Sequence, residues 1–171
     1  PIKCAGAPQK AMYLSCSHWR QQNRLDDIDV EFHTTGEAIF GIKDYVPALM
    51  ETVDQYDIDL NLQSRLIAVD GPAHNAVFST PNGEISKSFD MLHVTPPQIA
   101  PQFVSESAIA DDAGYVDVDQ FTLQHVKYPN IFGLGDASSA PNAKTMAAIR
   151  KQAPIVAQNI IAKMQRLDQH A

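Results

Sequence analysis

Residues 1–62 alternate between short β-rich runs and amphipathic helical segments, and this alternation constrains the fold more than any other feature. The runs PIKC, IDVEFHTTG and IDLNLQ have the composition of strands. The segments QKAMYLSCSHWRQQN and DYVPALMETVDQY lie between them and place apolar residues at helical spacing. Strands that alternate with helices form parallel sheets with right-handed crossovers. The order βαβαβ therefore predicts an α/β fold built on a Rossmann-like parallel sheet.

A different pattern follows in residues 65–97. The four short runs RLIAVD, NAVFST, EISKSFD and MLHVTPP are separated mainly by turn-forming Gly, Pro and Asn residues. This spacing predicts an antiparallel β-meander in which MLHV returns to the interior. Pro96, Pro97 and Pro101 then indicate an irregular exit. We therefore place a domain boundary near residue 100, which gives one domain in 1–100 and another in 101–171.

The second domain is predicted to contain one buried strand and one long helix. GYVDVDQFTLQ is typical of a surface strand or ribbon, and the apolar run IFGLG is typical of a buried strand. The final segment carries apolar residues at spacings of three and four, at Ile149, Ala153, Val156, Ile160, Met164 and Leu167. This pattern predicts an amphipathic helix, and Pro154 predicts a kink in it.

Composition excludes several functions. The chain has 171 residues, with 13 Lys and Arg against 20 Asp and Glu, so no basic face for nucleic acid can be assembled. No apolar run approaches the ~20 residues that span a bilayer. Two cysteines form no disulfide framework, and six scattered histidines predict no metal site. Because the first residue is Pro1 rather than Met, we expect the chain to belong to a longer protein.

The first strand-to-helix turn, CAGAPQKA, lacks the features of a dinucleotide site. Such a site uses GxGxxG so that backbone N–H groups can approach a pyrophosphate. Here Gly6 stands alone, Pro8 has no N–H, and the second strand ends in His33 and two threonines, with no acid to hold a ribose. We therefore expect a Rossmann-like domain that does not bind a nucleotide, and a plain tight turn at Gly6.

Cys4 is a candidate reactive thiol. It stands at the predicted end of a strand beside a helix N-terminus, a position that favours thiolate. The alternative is that Cys4 is a small core residue, the commoner role of a lone cysteine. Cys16 lies on the apolar face of its predicted helix and is expected to be core.

The stretch IFGLGDASSAPNAKT contains the candidate binding residues. Asp136 can accept hydrogen bonds from sugar-type hydroxyls, whereas Lys144 and the helix start after Thr145 suit an electron-rich ring. The alternative is that Asp136 and Ser138 cap the following helix. That alternative accounts for neither Lys144 nor the two glycines, of which Gly135 precedes the carboxylate.

These residues carry a family resemblance. YPNIFGLGDASSAPNAKT resembles the second flavin-binding segment of flavoproteins with two dinucleotide domains. Together with PIKCAGAPQKAMYL, AIFGIKDYVPAL, FDMLHVTPP and GYVDVDQFTLQHVKYPNIFGLGD, it resembles sulfide:quinone oxidoreductase nearly end to end, as a C-terminal fragment. The residues after 100 would then be part of an FAD domain, and the first domain would be a degenerate nicotinamide domain.

The resemblance implies a function and roles for five residues. The family oxidises sulfide with two redox-active cysteines, passes the electrons to FAD, and reduces a membrane quinone. Cys4 matches one catalytic cysteine. Gly135 and Asp136 match the segment at the FAD ribityl chain, and Lys144 and Thr145 match the stretch beside the flavin ring.

Two departures limit what the resemblance implies. The family's other cysteine is expected directly after Gly-Asp, where this chain has Ala137-Ser138-Ser139. The resemblance also implies an FAD-binding GxGxxG half and a membrane-anchoring C-terminal region, and we expect both to lie outside these 171 residues. We therefore expect a chain that is inactive and soluble by itself, from a parent that is peripheral to the membrane or cytoplasmic.

Three further expectations complete the sequence interpretation. The long helix has an apolar face that predicts association into a homo-oligomer. Among enzymes, the alternative is a flavoprotein similar to type II NADH dehydrogenase. Outside enzymes, the alternative is a non-catalytic Rossmann-relic domain that docks a partner.

Overall fold

A computed structural model describes residues 4–165 and divides them into two compact units. The first unit is Ala5–Thr95, and the second comprises the chain from Pro96 onward together with Cys4. The division falls at the start of the proline-rich segment. The assignment of the two domains to nicotinamide-type and flavin-type folds stays a prediction.

The first unit begins with a parallel α/β arrangement. Its elements are α1 (Gly6–Gln21), β1 (Glu31–His33), α2 (Val46–Gln55) and β2 (Asp59–Asn61), with short 3-10 helices at Leu25–Asp27 and Lys43–Tyr45. β1 and β2 pair in parallel, with Phe32 opposite Leu60. The predicted α/β class is confirmed. The predicted first strand, PIKC, lies outside the described residues except for Cys4.

The two helices pack apolar faces into one core. The buried members are Met12, Cys16, Ile39, Val53 and Ile58. Both helices carry proline in the first turn, where a missing N–H breaks no helical hydrogen bond. The buried Gln9 side chain also donates from Nε2 to the Ile39 carbonyl at 2.7 Å, so the start of α1 is tied to the loop before α2.

The meander has three strands rather than four. They are β3 (Arg65–Asp70), β4 (Asn75–Thr80) and β5 (Gly83–Ser88), antiparallel in the order β3-β4-β5. The predicted fourth strand, MLHV, and its return to the interior are wrong: Met91 is 68% exposed and Val94 42% exposed. Pairing with β4 ends near Phe89, whose N–H donates to the His74 carbonyl, and the prolines that follow Thr95 have no N–H to extend it.

The second unit contains two helices and a long irregular segment. α3 (Gln102–Ser105) is short, and α4 (Met146–Gln165) is long. Between them the predicted ribbon and the predicted buried strand form only isolated bridges, such as Val118 with His125 and Gln124 with Phe132. The strand predictions are therefore wrong here. The segment still supplies the core, which joins Val104, Val116, Val118, Leu123, Ala140 and Val156.

The predicted helix is confirmed in α4, but its buried face differs from the prediction. The buried residues are Gln152, Val156, Asn159 and Ala162, whereas Ala153, Ile160 and Met164 are exposed. Leu167 lies outside the described residues. Pro154 is inside the helix, and the kink stays a prediction. No helix among residues 4–165 is long and apolar enough to cross a membrane.

Candidate functional site

The Gly-Asp turn is held closely against α4. Gly135 has a φ of +67°, and its N–H donates to Oε1 of Gln152 at 2.8 Å. A Cβ on Gly135 would lie 3.1 Å from Cγ1 of Ile149. A Cβ on Gly133 would lie 2.9 Å from Cγ1 of Val116. Both glycines are therefore required by packing within the unit, whatever ligand the turn contacts.

Lys144 returns across the loop toward this turn. Its Nζ donates to the Ser138 carbonyl at 2.5 Å and lies 4.4 Å from the centre of the Tyr115 ring. Burial lowers the pKa of Lys144, and the nearby charges of Asp136 and Asp111 partly oppose that shift. The structure thus brings together Asp136 and Lys144, two of the residues selected from the sequence.

A cavity of about 290 Å³ adjoins Lys144. Gln98, Asp111, Ala113 and Tyr115 line one part of it, and the loop 139–144 forms the rest of the wall. The Asp111 carboxylate accepts the N–H groups of Ala113 and Tyr115, and the Tyr115 hydroxyl donates to the Gln98 carbonyl. The wall of the cavity therefore carries a cation, an anion and an amide, and hydrogen bonds hold Asp111 and Tyr115 in place.

Thr145 caps α4. Its Oγ1 accepts the Ala148 N–H at 3.2 Å, and its carbonyl accepts the Ile149 N–H at 3.1 Å. The capping alternative considered for Asp136 and Ser138 is wrong, since α4 begins at Met146, well beyond both. This cap engages the Ala148 N–H, whereas the N–H groups of Met146 and Ala147, at the very start of the helix, have no acceptor within the helix.

The loop after Asp136 is fixed by its own hydroxyls. Ser138 is fully buried and donates from Oγ to the Gly135 carbonyl at 3.2 Å. Ser139 accepts the Val118 N–H on its Oγ at 3.0 Å. The position where the resemblance leads us to expect a second thiol therefore holds hydroxyls that pack the unit.

The two cysteines differ sharply in environment. Cys4 is half-buried, precedes α1, and has a left-handed backbone with φ +52°. Such a conformation costs a non-glycine residue energy, and it is enriched at functional sites. Cys16 is fully buried, and burial raises the pKa of its thiol.

The end of β1, in the first unit, is filled by side chains of the unit itself. His33 bonds to Ser64 Oγ at 2.8 Å and to Glu31 at 3.0 Å, and its ring stacks on Phe78 at 3.9 Å. Lys87 pairs with Glu31 at 3.0 Å. Among residues 4–165, no group of three or more His, Cys, Asp or Glu side chains could hold a metal ion.

Sequence reasoning missed Gln152 and Tyr115. Gln152 bridges α4 to the Gly-Asp turn, and Tyr115 lies under the Lys144 amine. A signal for Gln152 existed: it stands three residues after Ile149 and four before Val156, in register with a buried face. No sequence signal linked Tyr115 to Lys144, because their contact depends on an irregular loop.

Comparison with known proteins gives a consistent result. The chain is 43% identical to the mitochondrial sulfide:quinone oxidoreductase of Mus musculus, over 97% of this chain and 38% of that protein. The sulfide:quinone oxidoreductase structure from Aquifex aeolicus superposes with a TM-score of 0.77 at 20% identity, covering 96% of this chain and 42% of that one. No family model matches the sequence.

A further solved structure is similar. A chain in the mitochondrial ATP synthase tetramer of Tetrahymena thermophila superposes with a TM-score of 0.67 at 26% identity, covering 82% of this chain and 34% of that one.

The fold matches part of the sulfide:quinone oxidoreductase structure from Aquifex aeolicus and part of the thioredoxin reductase structure from T. acidophilum, both of which are oxidoreductases. Within that class, the chain is related by sequence to the sulfide:quinone oxidoreductases along nearly its whole length, and the resemblance stated from its motifs is confirmed. It spans less than two fifths of the length of the curated relatives that it matches.

Proposed function

We propose that this chain forms part of an FAD-dependent enzyme that oxidises sulfide and reduces a quinone. The observation that carries the proposal is the sequence identity of 39–43% to three mitochondrial proteins named sulfide:quinone oxidoreductase, across at least 93% of the chain. In this proposal the Cys4 thiol would form an S–S bond with the sulfur of sulfide, and the two electrons that this bond formation releases would pass to FAD, with the two protons lost from the sulfur atoms going on to the quinone. Gly135, Asp136, Lys144 and Thr145 contact the cofactor.

The residues present fit a flavin on chemical grounds. Asp136 offers a carboxylate acceptor beside the amine of Lys144, and burial holds the pKa of that amine below its usual value. The first turn of α4 offers backbone N–H donors next to them. Such donors suit the electron-rich edge of a flavin ring, and Asp136 suits hydroxyls. When bound, FAD would supply the transfer of electrons from sulfur to quinone.

The test uses the longer protein in which this chain occurs. We expect purified protein to carry flavin and to reduce a soluble quinone only when sulfide is added. Cys4→Ser should abolish that activity and leave flavin bound, whereas Cys16→Ala, the matched control, should retain activity if the variant folds. Full sulfide turnover by Cys4→Ser would contradict the role given to Cys4, and micromolar NADH binding would favour the dehydrogenase alternative.

A second candidate is a non-catalytic subunit. Two observations favour it: the similarity to a chain within an ATP synthase assembly, and the absence of a thiol at Ala137–Ser139, where both serines are engaged in packing. The test again uses the longer protein. This candidate would be supported over the enzyme if that protein neither holds flavin nor oxidises sulfide but co-purifies in a stable large complex.

A further inference from the structure

A second cavity, of about 510 Å³, lies between the start of α4 and the turn that precedes Leu123. Its wall combines apolar side chains with five polar ones, Gln120, Asn142, Thr145, Lys151 and Gln152. This volume is within the range of small-molecule sites. Of the residues proposed above to contact the flavin, only Thr145 borders the cavity.

Gln152 is a buried donor on this wall whose N–H groups lack a partner. The residue is 6% exposed, and its Oε1 accepts the Gly135 N–H, which fixes the orientation of the amide. Its Nε2 is buried with no hydrogen-bond partner among the described residues. A buried donor left unpaired destabilises the folded state. Because Nε2 itself is enclosed, an acceptor atom in the cavity reaches it only after a small rearrangement of the wall, and the hydrogen bond then formed would remove that destabilisation.

The charge around the cavity favours an anionic acceptor. The positive end of a 20-residue helix faces this region, and Lys151 adds a full positive charge. Within residues 4–165, no Asp or Glu lines the cavity, although the chain has 20 of them in all. The neighbouring Asp119 accepts two N–H groups and one hydroxyl on its Oδ1, all from its own turn.

Most of the remaining wall is apolar, with Gln120 and Asn142 as its polar members. Phe121, Leu123 and Ile155 line it, and Phe121 is 63% exposed, so its ring is accessible from solvent. An inorganic anion would leave this surface uncovered. An organic anion would cover it and gain the hydrophobic contribution of its hydrocarbon part.

We propose that this cavity binds a small organic anion with an apolar body, whose charged oxygens are held by Gln152 and Lys151 at the start of α4. The apolar body packs on Phe121, Leu123 and Ile155. The proposal does not depend on sulfide oxidation or on flavin, so its failure would leave the proposed function untouched.

Hexanoate is the probe that tests the ligand class. With the ¹⁵N-labelled chain, hexanoate should shift the side-chain NH₂ resonances of Gln152 saturably in the millimolar range. Sulfate lacks the apolar body and 1-hexanol lacks the charge, so each should bind at least about fivefold more weakly, since each forfeits about 1 kcal/mol or more. A Gln152 resonance that hexanoate does not move would overturn the proposal. So would tighter binding of neutral menadione, which would make the cavity a ring site.

Two variants test the residues. Gln152→Glu keeps an acceptor for the Gly135 N–H but replaces the donor with a carboxylate, so hexanoate should bind at least about tenfold more weakly. Gln158→Glu adds the same charge at an exposed position of α4 and should have little effect on hexanoate binding.

Lys151→Gln alters an exposed side chain and should weaken hexanoate binding and reduce its salt dependence. This variant keeps the test decisive if Gln152→Glu fails to fold. Unchanged hexanoate affinity in Lys151→Gln, or in a folded Gln152→Glu, would contradict the proposal.

Discussion

Gly135 combines a left-handed backbone with a lack of room for any side chain. We expect Gly135→Ala to lower the free energy of unfolding by about 1–3 kcal/mol, since the new Cβ would meet Ile149 and the φ of +67° is strained for alanine. Urea denaturation measures the change. Gly71→Ala is the control: no atom lies near its added Cβ, so the change should stay within about 0.5 kcal/mol. Equal effects at both positions would show that the turn tolerates a side chain.

Cys4 should be the more reactive of the two thiols. It is half-buried, whereas Cys16 is fully enclosed and burial raises the pKa of its thiol. We expect iodoacetamide near neutral pH to label Cys4 much faster, as followed by mass spectrometry of the peptides. In denaturant the two rates should become similar, which controls for reagent access. Labelling of Cys16 as fast as Cys4 in the native chain would contradict the placement of Cys16 in the core.

At the scale of elements, β1 and β5 are linked through one carboxylate. Burial raises the pKa of Glu31, but the hydrogen bonds and charges of Lys87 and His33 outweigh it, so the net pKa is lowered. Because the pKa of Glu31 is lower in the folded state than in the unfolded state, ionised Glu31 stabilises the fold. This stabilisation is fully present above the unfolded-state pKa and is lost as the pH falls through the folded-state pKa.

The prediction from this link concerns acid stability. Glu31→Gln should lower the free energy of unfolding by roughly 0.5–1 kcal/mol at pH 7, and the difference from the native chain should shrink between about pH 5 and pH 3. The control is Glu84→Gln, at an exposed position of β5, which should change neither the free energy of unfolding at pH 7 nor its dependence on pH. Thermal unfolding across this pH range provides the measurement, and a pH-independent difference would exclude Glu31 as the titrating group.

Elements with a repeating pattern could be predicted from the sequence, and irregular ones could not. The helices α1, α2 and α4 and the hairpin β4–β5 follow from periodicity and turn residues. The segment 115–135 contains residues typical of strands, yet it forms only isolated β-bridges. Some of its backbone groups bond instead to side chains elsewhere in the unit, as the Gly135 N–H does to Gln152.

The buried face of α4 shows why a site residue was missed. Choosing only apolar positions selected Ala153 and Ile160, each one residue beyond a buried amide. One residue on a helix is about 100° of rotation, so the prediction was right at Val156 but missed the buried face at these two positions. Asn159 is fully buried and donates to the Thr122 carbonyl at 2.9 Å, which satisfies part of its amide inside the core. Hydrophobicity alone cannot reveal a face that includes two such amides.

At the scale of the whole molecule, α4 presents apolar side chains to solvent. Ile161 is 54% exposed and Met164 80% exposed, near the C-terminal end of the helix. We expect this surface to drive self-association of the isolated chain at high concentration. Sedimentation velocity over a concentration series should show a rising average mass, which Ile161→Lys reduces and Gln158→Lys, the same charge at a polar exposed position, does not. A monomeric profile at all concentrations would refute the expectation.

The last prediction concerns flavin. The chain spans 38% of the length of its mouse relative, and the contacts proposed here amount to one carboxylate, one amine, a glycine turn and a helix start. So few contacts cannot offset the entropy that a ligand as large as FAD loses on binding. We therefore expect the isolated chain to purify colourless and to lose added FAD on gel filtration. The longer protein, treated identically, should retain its flavin absorption band, and Asp136→Asn in that protein should retain less. A yellow preparation of the isolated chain would mean that this chain, alone or as an oligomer, builds a complete flavin site.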